Sequence, residues 1–486
     1  MASRKDVPRI SVPYGPLYLA SSLRRSGFLP VIYDSKISDV RAIHAWKSVH
    51  YCGDSLDQIS ARIGIEMPDF IAITNILSKD TGIALEIARR AKAVCPKTVV
   101  AIGGSHATAS PEDILACPEV DIAAIGEGEQ TIVELAQRIE AGETFRDVKG
   151  IAFRNDIGAI VVNPQRIPAN ELPPFPDYSL VDLERYFQIT AQGFGARPFV
   201  IGKRTLSVFS SRGCPFRCFF CGAHAIVGRK FRTYPADIVL QHIRDMVERY
   251  GIDSVDFEDD NVSGDRRRFE AIVDGLADFH PRLAWATPNG ARADTLTDRA
   301  LLQKMKASGL QYLTMGVESG DQQFLSKTIK KALDLGVVVE LAKLFRQVGI
   351  PLNAFFIVGF PDETLEQINN TLSFAHMLHR RHAVYPFISF AIPLKGTDMY
   401  RICVDKGYLT DAITPELLTH SASYKGRGLI LTRDFTPEQV SVLLRKFNRD
   451  VFIDELKNMA FNPVLALTRV RSILRSLPRA WRYFFS

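Results

Sequence analysis

The chain has 486 residues, of which 46% are hydrophobic, so it is long enough for two or three globular domains. Its net charge of +6 is modest, and the segment after Met459 holds most of the excess, with five arginines and no acid. A general nucleic-acid-binding protein would also carry basic patches in its body, and we find none. No signal peptide, disulfide framework or long apolar run is found, which predicts a cytoplasmic protein without a membrane span.

The first 145 residues alternate strands with helices, which predicts a parallel, doubly wound (Rossmann-like) sheet. The predicted helices are 15–26, 81–94 and 131–141, and the predicted strands are 30–34, 70–74, 99–102 and 122–125. Glycine-rich turns follow the last two strands, where the backbone can approach a ligand closely. The dinucleotide fingerprint G-x-G-x-x-G is absent, which argues against NAD.

A connector is predicted over residues 146–200. Residues 148–162 have the pattern of a hairpin that turns at 155–158, and 164–176 is rich in proline and therefore extended. The connector separates the first domain from a second one that spans 201–400.

The second domain again alternates strands with helices. Its predicted strands are 205–210, 254–258, 283–286, 312–317, 353–358 and 388–392. Six such units fit a partial (β/α)6 barrel. A polar or glycine-containing cluster follows each strand, as expected when a site is built from the loops at one face of a barrel.

Three cysteines lie on the loop after the first barrel strand. Cys214, Cys218 and Cys221 have the spacing C-x3-C-x2-C, which fits three corners of a 4Fe–4S cube. Such cubes are normally held by four thiolates, so one iron would keep an open position for a small molecule. A zinc site is the alternative, since His224 could supply a fourth ligand.

This cysteine spacing, with the aromatic Phe220 before the last cysteine, resembles the radical S-adenosylmethionine (SAM) superfamily. The resemblance implies that the open iron binds the amino and carboxylate groups of SAM and that one electron then yields a 5′-deoxyadenosyl radical. It also implies an electron donor such as flavodoxin or ferredoxin. The positions that match SAM-contacting positions of the family are Glu318, Ser319, Asp259, Asp260, Arg292 and Gly359.

The first domain resembles the cobalamin-binding domain that precedes the barrel in many radical SAM enzymes. The residues that carry the resemblance are 15–20, 103–108, Pro111, Glu112 and 126–129. The resemblance implies that the tail of cobalamin passes along small residues of these turns, for which the candidates are Ser78, Gly103, Gly104 and Gly126.

Two departures from that family pattern are present. The signature D-x-H-x-x-G of a cobalt-coordinating histidine is absent, so we interpret His106 as a loop histidine and expect no histidine on cobalt. Residues 1–13 are polar and interrupted by proline, so the usual strand before the first helix is missing. The alternative left open is a cobalamin fold that is kept only as a scaffold.

Residues 401–486 are predicted to be a helical cap on the barrel. Near the end, apolar residues recur at steps of three and four from Leu467 to Phe484, among arginines. Such a helix docks on the protein body or lies on an anionic membrane, and docking is the favoured interpretation. A membrane contact would favour a lipid-like substrate over another small molecule.

The resemblance predicts a cobalamin-dependent radical SAM methyltransferase that acts on an unactivated carbon. Two alternatives remain open at this point. One is a radical-initiated cyclisation or rearrangement in which cobalamin has a non-methylating role, and the other is a corrinoid- or cluster-binding protein without turnover. No residue encodes the methyl transfer itself, because the cofactors carry that chemistry.

Overall fold

The computed structural model describes residues 9–195, 201–409, 411–421 and 428–461. The predicted apolar stripe from Leu467 to Phe484 lies outside these residues. Within them, the chain forms two α/β sheets that are joined by an extended connector.

The amino-terminal part has a five-stranded sheet in the order β3-β4-β5-β6-β7. Its elements are α1 (Tyr14–Arg25), β1 (Ile43–Trp46), β2 (Val49–Cys52), α2 (Leu56–Glu66), β3 (Phe70–Thr74), α3 (Thr81–Val94), β4 (Val99–Gly103), α4 (Ser105–Ala109), α5 (Pro111–Leu115), β5 (Ile122–Ala124), α6 (Glu129–Ala141), β6 (Ile151–Arg154) and β7 (Ile160–Val162). Strands β3, β4 and β5 are parallel. Helices α2 to α5 pack on one face and α6 on the other, so the sheet is doubly wound as predicted.

The predicted strand 30–34 is wrong. These residues form no strand; Val31 among them is 66% exposed, and Leu29 just before them is 97% exposed. A strand needs a neighbour with which to pair, and among the described residues β3 pairs with β4 alone. Apolar β-branched residues therefore were not enough to place this segment in the sheet.

The hairpin that we assigned to the connector belongs instead to the first sheet. Strand β6 pairs antiparallel with β5, and β7 pairs antiparallel with β6. The turn lies where it was predicted, since the Gly158 N–H donates to the Asn155 carbonyl at 2.9 Å. The extended connector thus begins after Val162, while the outer domain limits stay predictions.

The second sheet has six parallel strands in the order β8-β11-β12-β13-β14-β15. The remaining elements are α7 (Leu183–Ile189), β8 (Thr205–Val208), β9 (Ser211–Arg212), α8 (Ala223–Val227), β10 (Arg232–Thr233), α9 (Ala236–Tyr250), β11 (Ser254–Phe257), α10 (Arg266–Ala277), β12 (Ala284–Ala291), α11 (Arg299–Ala307), β13 (Leu310–Glu318), α12 (Gln322–Lys327), α13 (Leu335–Val348), β14 (Leu352–Val358), α14 (Leu365–His382), β15 (Tyr385–Phe390), α15 (Asp398–Asp405), α16 (Pro415–Ser421) and α17 (Pro437–Phe461). Strands in chain order with intervening helices form the predicted partial (β/α)6 barrel. Strand β12 runs to Ala291, five residues farther than the predicted end at 286.

Helices of the barrel begin at capped turns, which fixes the loops that precede them. Thr364 and Gln367 form a reciprocal capping box at the start of α14. Asp321 and Asp334 cap α12 and α13 by accepting backbone N–H groups. These caps tie the ends of the preceding loops to the first turns of the helices.

The amino-terminal segment also contributes to the core of the second domain. Ile10, Val12 and Leu17 are buried in the same cluster as the barrel strands. The Ser207 N–H of β8 donates to the Tyr14 hydroxyl at 2.6 Å, and burial raises the pKa of that phenol. Helix α1 also packs against α6, so it joins the two sheets.

The carboxyl-terminal helices pack on the barrel as predicted for a cap. Phe435, Val440 and Phe447 belong to the barrel core cluster. His376 of α14 lies 2.6 Å from Asp454 of α17. In the described part of the chain, every helix is too short or too polar to cross a membrane.

We predict that Gly104→Ala lowers the thermal midpoint more than Gly142→Ala does. Gly104 has φ +117° and ψ −170°, a region open to glycine alone, and a Cβ there would lie 2.6 Å from the Asn75 carbonyl oxygen. At Gly142, where φ is +66°, an added Cβ would meet no other atom within 4 Å. The expected cost at Gly104 is about 1–3 kcal/mol. Equal midpoints for the two variants would contradict the structure of this turn.

Candidate active site

The cysteine loop is the segment 213–231 between β9 and β10. These two short strands pair antiparallel, with Arg212 opposite Arg232, and so bring the ends of the loop together. Gly213 starts the loop at φ +90°, where a Cβ would collide with the Lys230 carbonyl oxygen. The Cys221 N–H donates to the Cys218 carbonyl at 3.1 Å, which makes a tight turn between two of the three thiols.

The three thiols are free, half-buried and close enough to influence one another. Burial raises the pKa of Cys218 to about 11, and the Lys331 ammonium opposes this rise. Burial likewise raises the pKa of Cys214 and Cys221. A partly buried thiol binds a metal as thiolate more readily when cations lie near by. The positive charges of Lys331 and Arg292 both act to lower the pKa of Cys214.

This donor set fits an iron–sulfur cluster. Within 9–195, 201–409, 411–421 and 428–461, no three His, Cys, Asp or Glu side chains converge on a point that would hold a single metal ion. A 4Fe–4S cube does not require such convergence, because each thiolate binds a different iron. The free thiols on one loop, with cations beside them, are therefore suited to three corners of a cube.

An aromatic wall forms where the cysteine loop packs against the turn after β14. Phe219 and Phe220 flank Phe360 with ring centroids 5.4 and 5.6 Å away. The Phe219 carbonyl accepts the Met399 N–H at 3.0 Å at the start of α15. Because these rings are apolar, they offer water no hydrogen-bonding partner on that side of the loop.

Glu318 lies at the end of β13 in a strained conformation. Its φ is +73°, which is uncommon for any residue other than glycine. Its carboxylate pairs with Lys331 at 2.9 Å, and both side chains are 12% exposed. The predicted neighbour Ser319 is fully buried and bonds to Thr371 at 3.1 Å, so it holds the loop. SAM contacts by both residues stay predictions.

The two predicted aspartates after β11 have different surroundings. Asp259 is buried and accepts hydrogen bonds from the hydroxyls of Ser210 and Ser211, so it holds the chain just before the cysteine loop. Asp260 is exposed, accepts the Gly213 N–H and raises the pKa of Cys214 through its charge. Of the two, Asp260 is the accessible carboxylate, and the SAM contacts of both residues stay predictions.

Arg292 lies against the cysteine loop. Its guanidinium stacks 3.9 Å from the ring centre of Phe216, which lies between the first two cysteines. The same group is paired with Asp294, with Nε 2.9 Å from the carboxylate, and donates to the Ala332 carbonyl. Its predicted contact with the SAM carboxylate or the substrate stays a prediction.

Gly359 begins the turn after β14 at φ +80°. Its N–H donates at 2.7 Å to Glu363, a fully buried carboxyl that the sequence analysis did not single out. Burial raises the pKa of Glu363 to about 8, and its Oε1 atom has no hydrogen-bond partner. An unpartnered buried polar atom beside the predicted adenine position fits a nucleoside that would satisfy it.

The predicted cobalamin residues lie together at the carboxyl edge of the first sheet. Gly103 ends β4, Gly104 follows it, and Gly126 follows β5 at φ +82°. Ser78 lies beyond the end of β3, and its hydroxyl is 2.9 Å from Nδ1 of His106. Their contacts with cobalamin stay predictions.

His106 is enclosed by protein groups. Its Nε2 atom lies 3.6 Å from Asp113, which in turn pairs with Lys395 of the barrel at 2.5 Å. Burial lowers the pKa of His106. Both ring nitrogens thus face side chains of this chain, and His106 lies in the short helix α4 rather than in a loop as we interpreted it.

A buried amide at the same edge was missed. Asn75 directly follows β3 and is 1% exposed, and its Nδ2 atom has no hydrogen-bond partner. The Asn75 N–H and carbonyl bind the Gly103 and His106 backbones at 2.7 and 3.3 Å. The sequence signal that could have identified Asn75 is its position as a polar residue directly after a predicted strand. The unpaired Nδ2 of Asn75 is suited to donate a hydrogen bond to a polar group of a bound corrin.

We predict that Cys218→Ala removes the cluster. With one of three protein ligands gone, iron content after anaerobic reconstitution should fall from about four atoms per chain to less than one. Cys52→Ala, which changes a thiol on β2, should keep the full content. Iron and sulfide analysis with visible absorption checks both variants, and full iron content in Cys218→Ala would contradict the ligand assignment.

We predict that Glu363→Gln flattens the pH dependence of stability. Between about pH 4.5 and pH 8 the folded protein holds a proton on Glu363 that the unfolded chain has lost, so stability falls as pH rises. The substitution should reduce the slope of the unfolding free energy against pH by at most about 1.4 kcal/mol per pH unit. Thermal midpoints at several pH values test this, with the exposed Glu366→Gln as control. The same slope in wild type and Glu363→Gln would contradict the buried, neutral carboxyl.

Comparison with protein families matches both halves of the chain. Residues 208–375 match the radical SAM superfamily, and residues 5–136 match the B12 binding domain. These spans contain the cysteine loop and the glycine-rich turns of the first sheet, respectively.

Individual proteins are similar over most of the chain. Cytidylyl-2-hydroxyethylphosphonate methyltransferase from Streptomyces wedmorensis is 29% identical, over 95% of this chain and 89% of that protein. Anaerobic magnesium-protoporphyrin IX monomethyl ester cyclase from Rubrivivax gelatinosus is 27% identical, over 74% of this chain and 60% of that protein.

A solved structure shares the fold. The radical SAM methyltransferase TsrM from Kitasatospora setae superposes with a TM-score of 0.65 at 15% identity, over 92% of this chain and 86% of that one. The order of the two domains, the cysteine loop and these similarities lead to one assignment. The chain belongs to the radical SAM enzymes that carry an amino-terminal cobalamin-binding domain.

Proposed function

We propose that this enzyme transfers a methyl group to an unactivated carbon of a small molecule. The observation that carries the proposal is the direct contact between the two cofactor-binding faces. Helix α8 begins two residues after Cys221 and packs against α4, the helix that begins after Gly104. A group held at the edge of the first sheet would therefore face the cluster loop.

Further contacts bring the carboxyl edges of both sheets together at α4. A Cβ on Gly396, in the loop after β15, would lie only 2.7 Å from the Cβ of Ala109 on α4. Gln165 of the connector donates to the Ala225 carbonyl of α8 at 3.0 Å, beside Gly126. These close backbone contacts leave the two sites adjacent rather than at opposite ends of the molecule.

The residues of the barrel bind and shield the reactive groups. When bound, the 4Fe–4S cluster with SAM supplies a 5′-deoxyadenosyl radical, and cobalamin supplies the methyl group. We assign the cluster to Cys214, Cys218 and Cys221, with the Lys331 charge stabilising their thiolates. The aromatic wall keeps water away from this face, which protects a carbon radical from side reactions.

The contacts to SAM are also a proposal. Asp260, beside the cysteine loop, suits the SAM amino group, and Glu318 suits ribose hydroxyls or an ammonium group. The turn at Gly359 suits the adenine, with Glu363 as an additional polar partner. Arg292 suits a carboxylate of SAM or substrate. Supporting this is the placement of these side chains at the ends of barrel strands, or on the loops that follow them, at one face.

The names of the relatives favour methylation and also supply a second candidate. The relative from Streptomyces wedmorensis is named a methyltransferase, and it aligns with nearly the whole of this chain. The relative from Rubrivivax gelatinosus is named a cyclase, which keeps a radical-initiated cyclisation as the second candidate. In either case we propose that flavodoxin or ferredoxin supplies the electron.

We predict that the reduced enzyme forms two different products from SAM. In an anaerobic assay with dithionite, protein reconstituted with iron, sulfide and cobalamin should form 5′-deoxyadenosine and also S-adenosylhomocysteine. The second product marks removal of the SAM methyl group and should require added cobalamin. Mass spectrometry of the quenched reaction measures both, and Cys218→Ala should form no 5′-deoxyadenosine.

The assay separates the candidates. 5′-Deoxyadenosine without S-adenosylhomocysteine would favour the cyclisation, since that reaction needs no methyl donor. Absence of 5′-deoxyadenosine from cluster-loaded protein would contradict both candidates and favour a binding protein without turnover.

A further inference from the structure

The cysteine loop is attached to the first domain by four charged side chains. The turn after β5 carries Glu127, helix α6 begins at Glu129, and the strands at the base of the loop carry Arg212 and Arg232. The Arg212 guanidinium lies 2.7 Å from Glu129, and the Arg232 guanidinium binds Glu127 through both of its terminal nitrogens. We name these four residues the interdomain clamp.

The clamp is shielded from solvent. The side chain of Arg232 is 2% exposed, and the other three side chains are 13–14% exposed. Two-nitrogen binding of a carboxylate by arginine is directional and stronger than a single contact. Removing one partner would leave a buried charge without compensation, so these pairs resist separation.

The clamp also reaches the helix that follows the cysteines. Arg232 donates at 3.0 Å to the Val227 carbonyl at the end of α8 and at 3.0 Å to the Ala169 carbonyl of the connector. Arg212 additionally lies 4.9 Å from the ring centre of Tyr18 on α1. One pair of arginines therefore joins the cysteine loop to three parts of the chain.

On the other side, the clamp adjoins the predicted cobalamin turn. Glu127 directly follows Gly126, whose N–H donates to the Thr108 hydroxyl of α4 at 3.0 Å. A Cβ on Gly126 would lie 3.7 Å from the Ile226 carbonyl of α8. A shift of the cysteine loop would thus be transmitted directly to the turn that contains Gly126.

We propose that the clamp consists of positioning residues that couple the two cofactor sites. A cluster orders the cysteine loop, the ordered loop holds Glu127 and Glu129 through the two arginines, and the turn at Gly126 is then preorganised for cobalamin. Binding of each cofactor therefore strengthens binding of the other, as linkage requires. The inference rests on the proposed function only in requiring that both cofactors bind.

The test measures cobalamin affinity with and without the cluster. Full-length protein, either iron-free or reconstituted with its cluster, is titrated anaerobically with hydroxocobalamin by equilibrium dialysis. For the wild type, we expect the dissociation constant to be about tenfold lower with the cluster, within the usual range of coupling between sites. In Glu127→Gln, which keeps the shape but removes the charge, the ratio should approach one.

Two further variants separate coupling from general destabilisation. Glu86→Gln changes the same residue type on α3 and breaks ion pairs with Arg89 and Arg90 of the same helix, so it should keep the tenfold ratio. Glu129→Gln removes the Arg212–Glu129 pair but leaves both arginines beside Glu127, so it should give an intermediate ratio. A variant that merely destabilised the protein would weaken cobalamin binding in both states and leave the ratio unchanged.

The outcomes distinguish this proposal from the proposed function. Tight cobalamin binding with a ratio of one in the wild type, or a tenfold ratio retained in Glu127→Gln, would overturn the coupling alone. Failure of the cluster-loaded wild type to bind cobalamin would overturn the proposed function and the coupling with it.

Discussion

Three thiolates on a single loop must meet one inorganic cluster, and the loop conformation is the constraint on which the rest of the site depends. The chain fixes that conformation from several sides. Strands β9 and β10 bring its ends together, and Asp259 holds the preceding residues through two serine hydroxyls. Phe219 and Phe220 pack it against Phe360. Asp259 and Phe360 follow two different barrel strands, so more than one strand of the barrel determines where the cluster lies.

The position of the cysteine loop also determines how close the two cofactor sites lie to each other. A reaction that uses a radical in the barrel and a group held by another domain requires the two faces to lie close together in a fixed orientation. Helices α4 and α8, the loop around Gly396 and the interdomain clamp all contribute to that contact. The hydrogen bond from Ser207 to Tyr14 fixes the first helix to the barrel as well. In the proposed reaction, the interface is therefore part of the active site rather than a simple connection.

Local sequence signals were enough for the barrel strands, the cysteine loop and most helices, because periodicity, caps and motif spacing act over a few residues. They failed for 30–34, since a strand also depends on a partner that lies elsewhere in the chain. The hairpin was recognised, but its place at the edge of the first sheet required knowledge of β5. The clamp was missed for the same reason, as Arg232 and Glu127 are far apart in sequence. Glu363 and Asn75 stood within or beside recognised motifs, but their burial could be seen only in the folded chain.

The central claim is that three cysteines leave one iron of the cube open to SAM. Mössbauer spectroscopy of protein reconstituted with ⁵⁷Fe, recorded with and without SAM, tests it most directly. We expect the spectrum of a 4Fe–4S cluster in which a single iron changes its isomer shift when SAM is added. A spectrum without a cube, or a cube whose four irons are all unaffected by SAM, would contradict the account.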